Sequence, residues 1–157
     1  MAVNTSTGFE ASILGPSAFE GIFRAGCIEI RTGPQPDTAD MPATGALLAR
    51  ITVDGGIWQP GISAYGLGFV RNGRYVYKDA AQRWVLRGLA AGTAGWFRLV
   101  GNAPDAGAVS FESPRIDGAI GLDDDSPGDF QMRLPTLAMA TDTSIEIGEW
   151  WFAIPPL

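Results

Sequence analysis

The chain has 157 residues, enough for one domain with a substantial core, and 46% apolar against 18% charged residues excludes a disordered polymer. Its net charge of −6 sets 17 acids against ten Arg and one Lys, scattered along the chain, which disfavours nucleic acid and anionic membrane surfaces as partners. With no His and only Cys27, the sequence excludes His-dependent triads, thiolate–imidazole pairs, Cys/His zinc sites and an intramolecular disulfide.

No run approaches the ~20 apolar residues of a membrane helix. Met1–Phe9 lacks the basic-then-apolar pattern of a secretory signal, so synthesis in the cytoplasm is expected. Residues 1–26 differ from the rest: large apolar side chains occur without strict alternation. Pro16 suits a first helical position, and Phe19, Ile22 and Phe23 follow at helical spacing, so a short helix is expected over Pro16–Arg24, stopped by Gly26. Two readings stand side by side. The segment either caps its own domain or is an arm that lies on a neighbouring subunit through Phe9, Phe19, Ile22 and Phe23.

From Cys27 the pattern changes to period two. Ile28 and Ile30 alternate with Glu29 and Arg31; Leu47, Ala49, Ile51 and Val53 alternate with Arg50, Thr52 and Asp54. Gly33–Gly45, rich in Pro, Asp and Thr, reads as a loop. Asn72-Gly73 between two strand-like runs predicts a hairpin with a type I′ turn. Strands are expected at Arg83–Arg87, Trp96–Val100, from Ala108, at Arg115–Gly118 and around Phe130–Leu134, with Gly88–Gly95 a flexible loop. In Ser144–Ile154 the apolar residues move from odd positions (Ile145, Ile147) to even ones (Trp150, Phe152, Ile154), which predicts a β-bulge near Gly148–Glu149. Of the adjacent Trp150 and Trp151, one is expected in the core and the other outside or against a partner. The fold expected is all-β: an antiparallel sandwich or squashed barrel of about 8–10 strands at 27–157, with an N-terminal arm at 1–26.

Chemistry is harder to find. No phosphate-binding loop occurs, and Gly66-Leu67-Gly68 lacks the third Gly and following helix of a dinucleotide site. Asp123, Asp124, Asp125 and Asp129 lack the spacing of a calcium loop and read as a solvated turn. A carboxylate pair for glycoside hydrolysis is conceivable among the acids, but the order of residues selects none. Cys27 reads as a small buried hydrophobe. No catalytic residue, metal or cofactor is expected, and the chain reads as a binding protein and not an enzyme.

Five stretches also carry a resemblance. Gly26–Asp40 followed by Thr44–Ile51, then Gly92–Arg98, Arg115–Gly121 and the end at Ala153–Pro155, resemble small virion proteins of tailed bacteriophages. The resemblance covers most of the chain after Gly26 and implies a structural part of the particle, in head or tail. Small size, acidity and the apolar N-terminal segment then favour a capsid decoration protein on the outer head surface. It would bind the major capsid protein or other virion proteins, as a homo-oligomer with a trimer favoured, through Phe9, Phe19, Ile22 and Phe23. A tail or baseplate component is the alternative. A carbohydrate-binding module for host surfaces and a cell-wall hydrolase are further readings.

Overall fold

In the computed structural model, which describes residues 3–15, 18–124 and 131–153, the alternating runs become strands. In chain order the elements are β1 (Asn4–Thr5), α1 (Thr7–Leu14), α2 (Phe19–Ile22), β2 (Cys27–Thr32), β3 (Leu47–Val53), β4 (Phe69–Asn72) and β5 (Tyr75–Lys78). They continue with β6 (Trp84–Gly88), β7 (Gly92–Val100), β8 (Arg115–Leu122), β9 (Met132–Leu134), β10 (Ala138–Met139), β11 (Ser144–Ile147) and β12 (Trp151–Ala153). The large sheet has the order β1-β8-β7-β2-β3-β6-β11, all antiparallel; β10 adds antiparallel to β7, and β9 runs parallel to β8. A second sheet, β12-β5-β4, is also antiparallel. The protein is therefore all-β, and its described residues form two sheets with two short helices.

Register puts chemistry into rows. Ile145, Leu86, Ile51, Ile28, Leu99 and Ile116 stand opposite one another from β11 to β8. One residue along, Ser144, Arg87, Arg50, Glu29, Arg98, Asp117 and Asn4 form a second row across all seven strands. Successive residues of a strand face opposite ways, so the first row faces the core and the second the other side of the sheet.

The core between the sheets is aromatic. Phe69 packs on Trp84 at 5.4 Å and on Trp150 at 5.5 Å, and Phe19 lies 5.4 Å from Phe69 and from Phe152. Each such ring buries roughly 150–250 Å², so a few of them fill the gap beneath a three-stranded sheet.

The N-terminal segment belongs to this core. Ser6 caps α1: its Oγ accepts from the Phe9 N–H at 3.1 Å and from the Arg115 N–H at 2.7 Å, and donates to the Ser113 carbonyl at 2.8 Å. A Cβ on Gly8 would run into the Glu112 backbone, so glycine is what lets α1 approach that closely. β1 extends the large sheet beside β8. The separate arm expected at 1–26 is thus corrected: its described residues are an edge strand and two helices of the same domain. The expected helix shrinks to α2, with Pro16 outside the described residues, and α1 is additional.

Other expectations shift for identifiable reasons. The parity change near Gly148 is no bulge: β11 pairs with β6 in the large sheet and β12 with β5 in the small one, so the chain changes sheets there. Trp150, at the crossing, is buried, and Trp151 is exposed. The hairpin forms, but Asn72 pairs with Tyr75, and Gly73-Arg74 makes the turn with positive φ only at Gly73, as in type II′. β7 starts at Gly92, within the expected loop, because β2 and β10 pair with that end. No strand forms at 108–111.

Candidate functional site

Phe9, Phe19 and Phe23 do come together. Their rings lie 4.9–6.0 Å apart, and the side chains are 4%, 3% and 0% exposed. Ile22 is partly buried against the same cluster. That placement corrects their expected role, because the surface needed to hold a partner is already spent on the chain's own core.

Two other surfaces are available. The first is the polar row, covered by the loops at 33–46 and 101–114. Arg98 holds Asp117 with Nε on Oδ1 and Nη2 on Oδ2, both at 2.7 Å, while Nη1 and Nη2 donate to the Met41 carbonyl at 3.1 Å. Arg115 holds Asp105 the same way, at 2.7 and 2.6 Å, and also donates to the carbonyls of Ala39 and Ala108. Each buried guanidinium thus has its own carboxylate and ties a covering loop to the sheet, which is what a charge out of water requires.

Burial pushes the Asp117 carboxyl above its ordinary 3.8, against the hydrogen bonds and charge of Arg98. Burial acts on Asp105 too, but the Arg115 hydrogen bonds and the Gly107 N–H outweigh it and hold its pKa below 3.8. Where the covering loops part, a cleft of about 180 Å³ opens over Glu29, Arg50, Arg98 and Trp58. Cys27 lies nearby, packed with Trp58 and Val100; burial raises its thiol pKa far above the ordinary range, so it is no nucleophile.

The second surface is the outer face of the small sheet. Val70, Tyr77 and Trp151 stand opposite one another across its three strands, with Asn72, Tyr75 and Ala153 in the next row. Val70, Tyr75, Tyr77 and Trp151 are all exposed, Trp151 by 58%. Tyr75 meets Trp151 edge-on at 5.9 Å and lies 6.1 Å from Tyr77. The opposite face of the same strands carries Phe69, Val76 and Phe152 into the core. This face escaped the sequence reading, although Tyr75 and Tyr77 at i and i+2 flank the apolar Val76, a signal of a strand apolar on both faces.

Asp123 and Asp124 are exposed; Asp125 and Asp129 lie outside the described residues. Among the described residues no group of three or more His, Cys, Asp or Glu is placed to hold a metal, and no helix is long and apolar enough to cross a membrane. Compared with family models, with curated proteins and with solved structures, the chain matches none.

Proposed function

We propose that the chain is a structural protein of a tailed-phage particle, acting by binding and not by catalysis. It decorates the outer surface of the head as a small homo-oligomer, a trimer by preference, and is carried to its place in the virion from the host cytoplasm. The observation that carries this reading is the exposed Val70–Tyr75–Tyr77–Trp151 face. Tyr and Trp dominate the energetics of protein contacts, and covering about 100 Å² of each ring is worth about 2.5 kcal/mol before the costs of association. Repeated over many symmetric copies, such contacts stabilise a shell by mass action. The net charge of −6 suits a surface away from packaged DNA. A tail or baseplate position would use the same face.

The experiment adds purified protein to shells that lack it and measures bound copies and shell melting. Wild type should bind and raise the melting temperature. Tyr77→Ser with Trp151→Ser should remain folded but bind at least tenfold more weakly. Binding unchanged in that variant, or no binding by wild type, refutes the proposal. A second reading is favoured by the three neighbouring rings, which are also what a sugar ring stacks on. Binding of wild type to host surface glycans but not to shells would support a carbohydrate-binding module instead.

A further inference from the structure

We propose that the cleft over Glu29, Arg50 and Arg98 is a binding site for a single carboxylate group, with Arg50 as its anchor. The partnering of the arginines points there. Arg98 and Arg115 each grip a carboxylate of their own, whereas Arg31 and Arg50 share Glu29. Arg31 has the better part of it, with Nη2 on Oε2 at 2.8 Å and Nε on the same oxygen at 3.3 Å; Arg50 reaches Oε1 only through Nη2, at 3.2 Å. Among the described residues Nη1 of Arg50 has no acceptor, and its Nε is buried without one. Arg31, Arg50 and Arg98 line the cleft with Glu29 and Asp105; because Arg98 is held by Asp117 and Asp105 by Arg115, the charge left over among the lining groups sits on Arg50. Its side chain is 32% exposed, with the guanidinium 5.7 Å from the centre of the Trp58 ring.

The chemistry of the ligand follows from charge and size. One uncompensated positive charge, walled by Glu29 and Asp105, suits a monoanion; a phosphate dianion would face both acids. The shielded Nε leaves the Nη edge to the incoming oxygen, and an arginine edge matches the geometry of a carboxylate. The cleft, at about 180 Å³, is smaller than the roughly 300–1,000 Å³ of a typical small-molecule pocket. It holds a carboxylate and a short stem, with Val100, Pro60 and Ala43 lining the space for the stem. A free small acid and the C-terminus of a peptide both present that group.

The test is an NMR titration of the whole protein, following the Trp58 indole N–H and the Arg50 side-chain N–H signals. Probes are acetate, N-acetylglycine, N-acetylglycinamide and inorganic phosphate. Acetate and N-acetylglycine should produce saturable shifts of both signals. The neutral amide should produce none, and phosphate should bind more weakly than acetate. Arg50→Gln and, separately, Arg31→Gln probe the site while the dispersion of the backbone spectrum reports folding. Arg50→Gln should lose at least tenfold in affinity; Arg31→Gln frees Glu29 to take Arg50 fully and should also weaken binding. N-acetylglycine tighter than acetate identifies a peptide terminus as the source; equal affinities identify a free acid. No saturation by about 100 mM acetate in wild type, or an unchanged affinity in a folded Arg50→Gln, overturns the proposal.

Discussion

Arg98 and Asp117 stand directly opposite each other on β7 and β8, and the guanidinium grips both carboxylate oxygens while the same group holds the Met41 carbonyl of the covering loop. The pair is 2% and 0% exposed, so neither charge has water to fall back on. Removing one partner leaves the other stranded. Asp117→Leu and Arg98→Met should each lose about 3–5 kcal/mol of unfolding free energy in urea, and the double variant should lie closer to wild type than either single. Losses that simply add in the double variant would show that the two groups do not act as a pair.

Strands were legible in this sequence wherever one face is apolar and the other polar: Ile28 and Ile30 against Glu29 and Arg31 locate β2, and Asn72-Gly73 locates the hairpin within a residue. The split of Trp150 and Trp151 into one buried and one exposed ring was legible for the same reason. What was not legible is long-range. Whether Gly148–Glu149 is a bulge or a change of sheet depends on β5 and β6, far upstream in the chain, and not on the local pattern. The polar row needs six strand registers at once, with Asn4 facing Asp117. The core role of Phe9 and Phe19 was one of two readings left open, because apolar side chains at helical spacing do not say whether they cover their own domain or a neighbour; α1 itself was missed, with Gly8 weakening its helical pattern. Its one local signal was Ser6, an N-cap residue type just before the helix.

Asp105 sets an acid dependence. Its folded pKa lies below the ordinary 3.8, so its contribution is complete above that value and is lost as pH falls through the folded pKa. Asp117 works in the opposite sense: with a raised folded pKa, the native state takes up that proton more readily than the unfolded chain, so acidification there offsets part of the loss. Wild type should therefore lose melting temperature below about pH 4. Asp105→Asn should start lower at neutral pH and decline less over the same acid range. Parallel curves for the two proteins would show that Arg115 does not hold the carboxylate.

Cys27 should be inert while the protein is folded. The side chain is fully buried, and burial raises the thiol pKa, with the nearby Glu29 charge adding to that and Arg50 opposing it. Thiolate is the reactive form, so labelling by an aromatic disulfide should wait for unfolding. The labelling rate should rise with urea in step with the unfolded fraction. Fast, stoichiometric labelling in native buffer would mean that β2 and β7 open locally around Cys27.

The N-terminal segment supplies the strongest test of the fold. Phe19 touches Phe9, Phe23, Phe69, Trp150 and Phe152, so it joins the helices to both ends of the small sheet. Truncating one such ring leaves a cavity its neighbours cannot fill, and Phe19→Ala should cost about 3–5 kcal/mol. A chain starting at Cys27 loses three of these rings together with the Ser6 contacts to β8. The summed loss is comparable with the whole stability of a domain, about 5–15 kcal/mol. The shortened chain should therefore show no cooperative unfolding transition by circular dichroism, and adding back a peptide of residues 1–26 should restore one in part. A shortened chain that unfolds cooperatively within about 1 kcal/mol of the full protein would mean the opposite: the segment is an appendage whose rings leave the core at little cost, free to lie on another subunit.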